Sequence, residues 1–290
     1  MNLFSGLEKF GLKADEEMNL FEDETKKSSV VGGVAKEAEI PTEESFLLPK
    51  AVRCAVCDKV FKRKMVKNGR VKREEPDQDL RPRHQYIDTL KYNITSCPFC
   101  GYTALNNYFE HLPAGQVKLV QEKICANFKP EPQKEESEIT PYDYDTAIAM
   151  HKLSLFTAIA KKGKTSEKAY NCLVIAWLLR AQKETLTEDT EENKAKKEAC
   201  QKEEEAFYKQ AYDGFLKAVA TEMFPMCGMD QSTVDYLLAC MASHFKQYDV
   251  ASKCIANVLT SASANRKIKD KALAMKEEIV AEIHKEKEAQ

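Results

Sequence analysis

Two Cys-x-x-Cys pairs, Cys54-Ala55-Val56-Cys57 and Cys97-Pro98-Phe99-Cys100, lie in one stretch of chain with 39 residues between Cys57 and Cys97. A structural zinc site takes four soft ligands in a tetrahedron at about 2.3 Å, and each such turn presents two thiolates from a single bend. The pairing therefore demands that the intervening chain bring both turns to one point. That spacer reads as two strands, 60–66 and 70–72, joined at Asn68-Gly69, a pair suited to a type I′ turn. A further strand around 92–95 leads into the second knuckle, and Gly101 supplies the left-handed residue that such a knuckle uses. The expectation is a zinc ribbon over residues 50–104 that holds one structural Zn2+ per chain on Cys54, Cys57, Cys97 and Cys100.

Cys-Pro-Phe-Cys alone also resembles a dithiol exchange motif, but that chemistry calls for a βαβ setting and has no use for a second pair. A catalytic zinc keeps an open position beside three protein ligands, whereas four cysteines close the shell. The other cysteines, Cys125, Cys172, Cys200, Cys227, Cys240 and Cys254, have no partner spacing and read as small buried hydrophobes. His111 follows the second knuckle too late to be needed as a ligand. His84, His151, His244 and His284 do not cluster, so no nucleophile–base pair can be assembled. An enzyme is therefore the less favoured reading.

Charge is unevenly placed. Residues 1–49 hold five basic and eleven acidic side chains, residues 50–103 thirteen and six, and the rest 26 and 29. The cationic block coincides with the cysteine motifs and marks a separate small domain. A net charge of −2 excludes a uniformly basic nucleic-acid coat protein, and 43% hydrophobic residues suffice for a sizeable core. The longest apolar run, 172–179, is less than half the roughly 20 residues of a membrane span. Glu8, Asp15, Glu16 and Glu17 replace the apolar stretch of a signal peptide. Ten cysteines without such a signal point to a reducing cytoplasm and away from a disulfide scaffold. No membrane partner is expected.

Outside the ribbon, residues 1–20 form an amphipathic segment carrying Leu3, Phe4, Leu7, Phe10 and Leu12, too short to be stable as an isolated helix. Residues 21–49 read as an acidic linker, and 105–140 as a helix with a Pro/Glu-rich break at Lys129-Pro130-Glu131-Pro132. Residues 141–290 are periodic at 3.6 throughout. Thr140 is the expected cap of a helix with Ile148, His151, Leu155 and Ile159 on one stripe. The next helix places Tyr170, Leu173, Val174, Trp177, Leu178 and Ala181 on a core face. Residues 188–223 begin almost wholly charged and become amphipathic through Phe207, Ala211, Phe215 and Val219. Ser232 with Asp235 resembles a capping pair ahead of Val234, Leu237, Leu238 and Met241. A last helix spans about 265–285. Residues 233–260 match key spacings of a tetratricopeptide hairpin at Leu238, Ala239, Ala251, Ile255 and Val258, without the Gly, aromatic or Pro of that pattern. The fold class expected is α+β: a small β zinc ribbon followed by an all-α helical-hairpin domain.

Lys62, Arg63, Lys64, Lys67, Arg70 and Arg73 crowd the predicted hairpin. Such a cluster can grip phosphates with steeply salt-dependent affinity. The simpler reading is a solvated edge whose lysines block aggregation and balance the −2 charge of a four-thiolate zinc centre. Few exposed aromatics interleave with these charges, and Glu74-Glu75-Pro76-Asp77-Gln78-Asp79 is placed to fold back on them.

The stretch around Cys54-Ala55-Val56-Cys57-Asp58-Lys59-Val60-Phe61, then Asp79-Leu80-Arg81-Pro82, Tyr86-Ile87-Asp88-Thr89-Leu90-Lys91-Tyr92 and Cys97-Pro98-Phe99-Cys100-Gly101-Tyr102, resembles the bacterial proteins grouped as domain of unknown function 2225. Leu3-Phe4-Ser5-Gly6-Leu7-Glu8 and the trailing helices fit the same likeness. The resemblance implies a cytoplasmic zinc ribbon with helical hairpins, and it carries the metal ligands onto the four knuckle cysteines with no catalytic residues. The function expected is a non-enzymatic adaptor that holds an unidentified protein partner through its helices. The alternative is a nucleic-acid-binding protein that uses the basic hairpin.

Overall fold

Each Cys-x-x-Cys turn is itself the bend of a β-hairpin. In the computed structural model, which describes residues 40–130 and 139–288, β1 (Leu47–Arg53) pairs antiparallel with β2 (Val60–Val66), from Leu47 opposite Val66 to Arg53 opposite Val60. β3 (Ile94–Ser96) pairs the same way with β4 (Thr103–Leu105). The expectations for residues 1–39 and for the Pro/Glu break at 131–138 lie outside the described residues.

This differs from the hairpin read at Asn68-Gly69. Asn68–Arg70 forms a 3-10 turn, and β2 pairs back with β1 across the first knuckle. The segment after that turn finds other partners. Lys72 O accepts from Gln85 N at 3.0 Å, Arg73 bridges His84, and Glu74 N donates to Arg83 O at 2.9 Å. Residues 72–85 thus form a long loop closed by its own short ladder. The physical reason is the apolar pattern of Leu47 and Val52, which are buried in β1. A strand with inward-facing side chains needs a paired neighbour, and the knuckle supplies the tightest route to one.

Helices follow: α1 (Asn106–Phe109), α2 (Ala114–Val120) running into a π turn (Gln121–Cys125), α3 (Tyr144–Ala160), α4 (Thr165–Thr185), α5 (Glu191–Thr221), α6 (Gln231–His244), α7 (Tyr248–Thr260) and α8 (Arg266–Glu288). From α3 onward each helix packs on the next, and α3 also packs on β3 and β4. The α+β expectation holds. The α6–α7 pair is a helical hairpin with Leu238, Ala239, Ala251, Ile255 and Val258 buried at its seam. The six helices run 17, 21, 31, 14, 13 and 23 residues, unequal lengths that leave the tetratricopeptide likeness at the level of that one spacing.

Caps sit near, not at, the expected positions. Asp143 begins α3 by accepting from Thr146 N at 2.7 Å, and Asp230 begins α6 by accepting from Thr233 N at 2.8 Å. Both displace the Thr140 and Ser232 readings, because a carboxylate both accepts the hydrogen bond and meets the positive end of the helix dipole. The stripe on α3 is also shifted: Ile148 and His151 are buried, but Ile159 is 54% exposed. Small residues, Ala147, Ser154 and Ala158, choose the inward face, since they let α3 approach its neighbours closely. Gly214 does the same on α5, where a Cβ would lie 2.8 Å from Ala169 of α4.

α4 is the central helix, with Leu173, Val174, Trp177, Leu178 and Ala181 all buried as its stripe predicts. The long loop is tied to it. Arg81, 2% exposed, donates to Asp77 at 2.6 Å, to Glu184 of α4 at 2.6 Å and to the Trp177 carbonyl at 3.3 Å. Asp79 accepts from Trp177 Nε1 and from Arg180, each at 2.9 Å, and Arg180 reaches Glu204 of α5 at 2.8 Å. The acidic run therefore does not neutralise the basic hairpin. Its carboxylates pair with Arg81, Arg83 and Arg180, and Glu75 with Lys271 of α8. A guanidinium as buried as that of Arg81 must find carboxylates at hand, and Asp77, four residues before it, is one of them.

Two measurements check this packing. Trp177→Ala is expected to cost about 3–5 kcal/mol in denaturant unfolding, and a loss below about 1 kcal/mol would place the side chain outside the core. His151 is wholly buried, with Nε2 3.1 Å from the Leu90 carbonyl, and burial pushes its pKa down to about 4. The unfolded chain takes up this proton below its ordinary value of about 6.5, so the stability is present above that pH and is lost as pH falls through 4. His151→Gln keeps a donor for Leu90 without the titration. Between pH 6.5 and 4, wild type is expected to lose up to about 3 kcal/mol more than this variant.

Candidate metal centre

The two knuckles are built alike. In the first, Cys54 N donates to Lys59 O at 3.0 Å and Asp58 N to Cys54 O at 3.0 Å; in the second, Cys97 N donates to Tyr102 O at 2.8 Å and Gly101 N to Cys97 O at 2.9 Å. The fifth residue of each is left-handed, Asp58 at φ 63° and Gly101 at φ 74°. At Gly101 a side chain is excluded twice, since a Cβ would also run into the Phe128 ring. At Asp58 the exposed position tolerates a residue known for local hydrogen bonding in that conformation.

All four sulfurs lie within 4.8 Å of one another, and no other group of three or more His, Cys, Asp or Glu among the described residues is so arranged. Across the knuckles, Cys54 Sγ is 3.6 Å from Cys100 Sγ, and Cys57 Sγ is 3.6 Å from Cys97 Sγ. A tetrahedron with arms of about 2.3 Å has edges of about 3.8 Å, so the four sulfurs fit the corners of a metal–thiolate site. They are free thiols, far beyond the roughly 2.05 Å of a disulfide. Cys54, Cys97 and Cys100 are buried and Cys57 is half-buried.

Crowding makes the sulfurs share charge. Hydrogen bonds from Cys100 and Cys54 hold the Cys97 thiol far down, to about 2. The bonds of Cys100 to Cys54 and Cys97, with burial, push its own thiol far up. A dication at the centre would stabilise all four sulfurs as anions. The Val56 amide points at Cys54 Sγ at 3.4 Å.

Around the sulfurs lies a small apolar core of Val52, Val56, Tyr102, Phe109, Val120 and Ile124. Tyr102 stacks on Phe109 at 4.8 Å, Phe61 of β2 meets the same ring edge-on at 6.0 Å, and Gln121 donates to Val56 O at 3.3 Å. The π turn thus clamps the first knuckle, and it carries Cys125, half-buried against the cluster. No spacing in the sequence singles out Cys125. Cys172, Cys200, Cys240 and Cys254 are buried as expected, Cys227 is half-buried, and His111 is exposed.

The basic side chains are not brought together as the four cysteines are. Arg63 reaches Thr95 at 3.4 Å, Lys64 lies over the Tyr142 ring at 4.3 Å, and Lys67 donates to Ser45 O at 3.0 Å. Lys62, Arg70 and Arg73 are exposed. Sequence reasoning missed Tyr86, a half-exposed aromatic beside this surface; its signal was a tyrosine directly after a polar loop.

Fold and site define a class: a protein with two thiol knuckles on short antiparallel hairpins, followed by stacked helices. The chain belongs to the family described as an uncharacterized protein conserved in bacteria (DUF2225), which matches residues 47–279. That span begins with β1 and ends within α8, so it takes in both knuckles and the helical stack. Neither a curated protein nor a solved structure matches the chain.

Cys97→Ser is expected to abolish the thiolate charge-transfer absorbance that Co2+ gives in a four-sulfur site, while most far-UV helical signal remains. An undiminished Co2+ spectrum would remove Cys97 from the metal centre.

Proposed function

We propose that the four thiols hold one structural Zn2+ and that the protein is a non-enzymatic cytoplasmic adaptor that binds a protein partner through its helices. The carrying observation is the closed set of four sulfurs: every thiol is used at a corner, which leaves no position for water or substrate. Soft thiolates favour zinc over hard cations, and a reducing compartment keeps them available. Bound zinc supplies a cross-link between the two hairpins, worth roughly 10–16 kcal/mol in small finger peptides. Cys54, Cys57, Cys97 and Cys100 hold it; the apolar core around them keeps water away.

The partner surface we favour is the groove between α7 and α8, a cavity of about 300 Å³ bounded by Ile255, Leu259, Ile279, Val280 and Ile283. Val280 is 46% exposed there, an apolar side chain that a partner would cover. A second reading is nucleic-acid binding through Lys62, Arg63, Lys64, Lys67, Arg70 and Arg73. The exposure of Lys62, Arg70 and Arg73 favours it.

Elemental analysis is expected to give about one zinc per chain, as one closed site holds. Affinity capture from a bacterial lysate then separates the two readings. A protein held by wild type and lost with Val280→Asp supports the adaptor. Nucleic acid held by wild type and lost with Lys62→Glu/Arg70→Glu supports the second reading. Capture of neither removes both.

A further inference from the structure

The loop closed by Lys72 and Gln85 delivers Tyr86 to the protein surface in a conformation that bulky side chains rarely adopt, φ 64°. Its ring lies nearly parallel to Phe46, with centroids 6.5 Å apart and planes at 17°. The two rings differ in setting: Phe46 is buried, and Tyr86 is 53% exposed. Around them is a cavity of about 390 Å³ bounded by Pro41, Phe46, Arg70, Lys72, Gln85 and Tyr86. Of the two carboxylates of the preceding turn, Glu43 is taken up by Lys91 and Tyr92, each at 2.7 Å, and Glu44 is exposed.

A planar ring backed by a second ring, two cations and one side-chain amide is a specific combination of chemistry. The ring offers a π-face, which every nucleobase matches. Arg70 and Lys72 offer positive charge at the same rim, which phosphates match. Gln85 offers a donor and an acceptor for a base edge. Strain at an exposed aromatic also needs a reason, since such residues collect where a ligand is bound. We propose that this cavity is a nucleotide subsite: a base of single-stranded nucleic acid stacks on Tyr86, and its flanking phosphates lie against Arg70 and Lys72. The inference rests on the nucleic-acid reading above and narrows it to unpaired strands, because a base within a duplex has no face to give.

Fluorescence anisotropy with labelled 15-mers of single-stranded RNA, single-stranded DNA and the matching duplex tests it, using full-length zinc-loaded protein. Wild type is expected to bind single strands more tightly than duplex, and the RNA and DNA arms show which sugar is preferred. Tyr86→Gly is the informative variant, since it removes the ring while relieving the left-handed backbone. It is expected to weaken binding roughly 5- to 150-fold, the range for loss of one base stack, with no loss of thermal stability. Tyr86→Trp is expected to retain binding. Arg70→Ala/Lys72→Ala is expected to flatten the salt dependence by about 1.4 in log–log slope, about 0.7 per phosphate on single strands. If Tyr86→Gly binds like wild type while Lys62→Glu/Arg70→Glu loses affinity, the subsite is overturned and the broader reading stands. Duplex bound as tightly as single strand also overturns the subsite. If wild type binds no oligonucleotide, both fall.

Discussion

Four sulfur atoms within 4.8 Å of one another are the constraint on which the amino-terminal half of the structure depends. A two-stranded hairpin is marginal in water by itself, and here one has seven paired positions and the other only three. Neither buries enough apolar surface to justify its own order. What fixes them is convergence: two bends with the same hydrogen-bond pattern meet at the four sulfurs, and the apolar cluster around Tyr102 and Phe109 packs about them. The thiol cluster and the small core are thus one unit, in which backbone geometry and packing each require the other.

A second constraint fastens that unit to the helices. Arg81 carries a full charge at 2% exposure, which is tolerable only because Asp77 and Glu184 lie at 2.6 Å and a carbonyl completes the set. Trp177 contributes from the other side, since its indole N–H satisfies Asp79 while its ring fills the core of α4. Such a network gives directional contact where apolar packing gives little. It sets the long loop against one place on α4, and with it the rim from which Tyr86 projects.

Much of this is legible in the chain itself, and the limits have physical causes. The four ligands are readable because Cys-x-x-Cys is a local geometry: spacing alone brings two sulfurs together. Trp177 and its stripe are readable because helical periodicity is local too. The pairing of β1 with β2 is not, since Asn68-Gly69 is a strong turn signal that the burial of Leu47 and Val52 overrides. The partners of Asp79 are not either. Arg180 lies about a hundred residues from Asp79, and no spacing rule reaches that far. Ile159 misleads because the stripe weights large apolar residues over the small ones that decide how closely α3 can pack.

The closed set of four thiols also directs attention elsewhere. A centre whose four ligands are all protein sulfur holds shape and leaves recognition to the surfaces it positions. Two such surfaces differ in kind. The α7–α8 groove is apolar and lies at the far end of the helical stack from the knuckles in chain order; the Tyr86 rim is aromatic and cationic and lies on the loop that the knuckles and Arg81 hold in place. Their dependence on metal therefore differs. With zinc in the cluster, as proposed above, its loss would loosen the hairpins and the rim beside them, while the groove, whose walls belong to the helical core, keeps its shape. On the proposals above, one recognition surface fails with the metal and the other outlasts it.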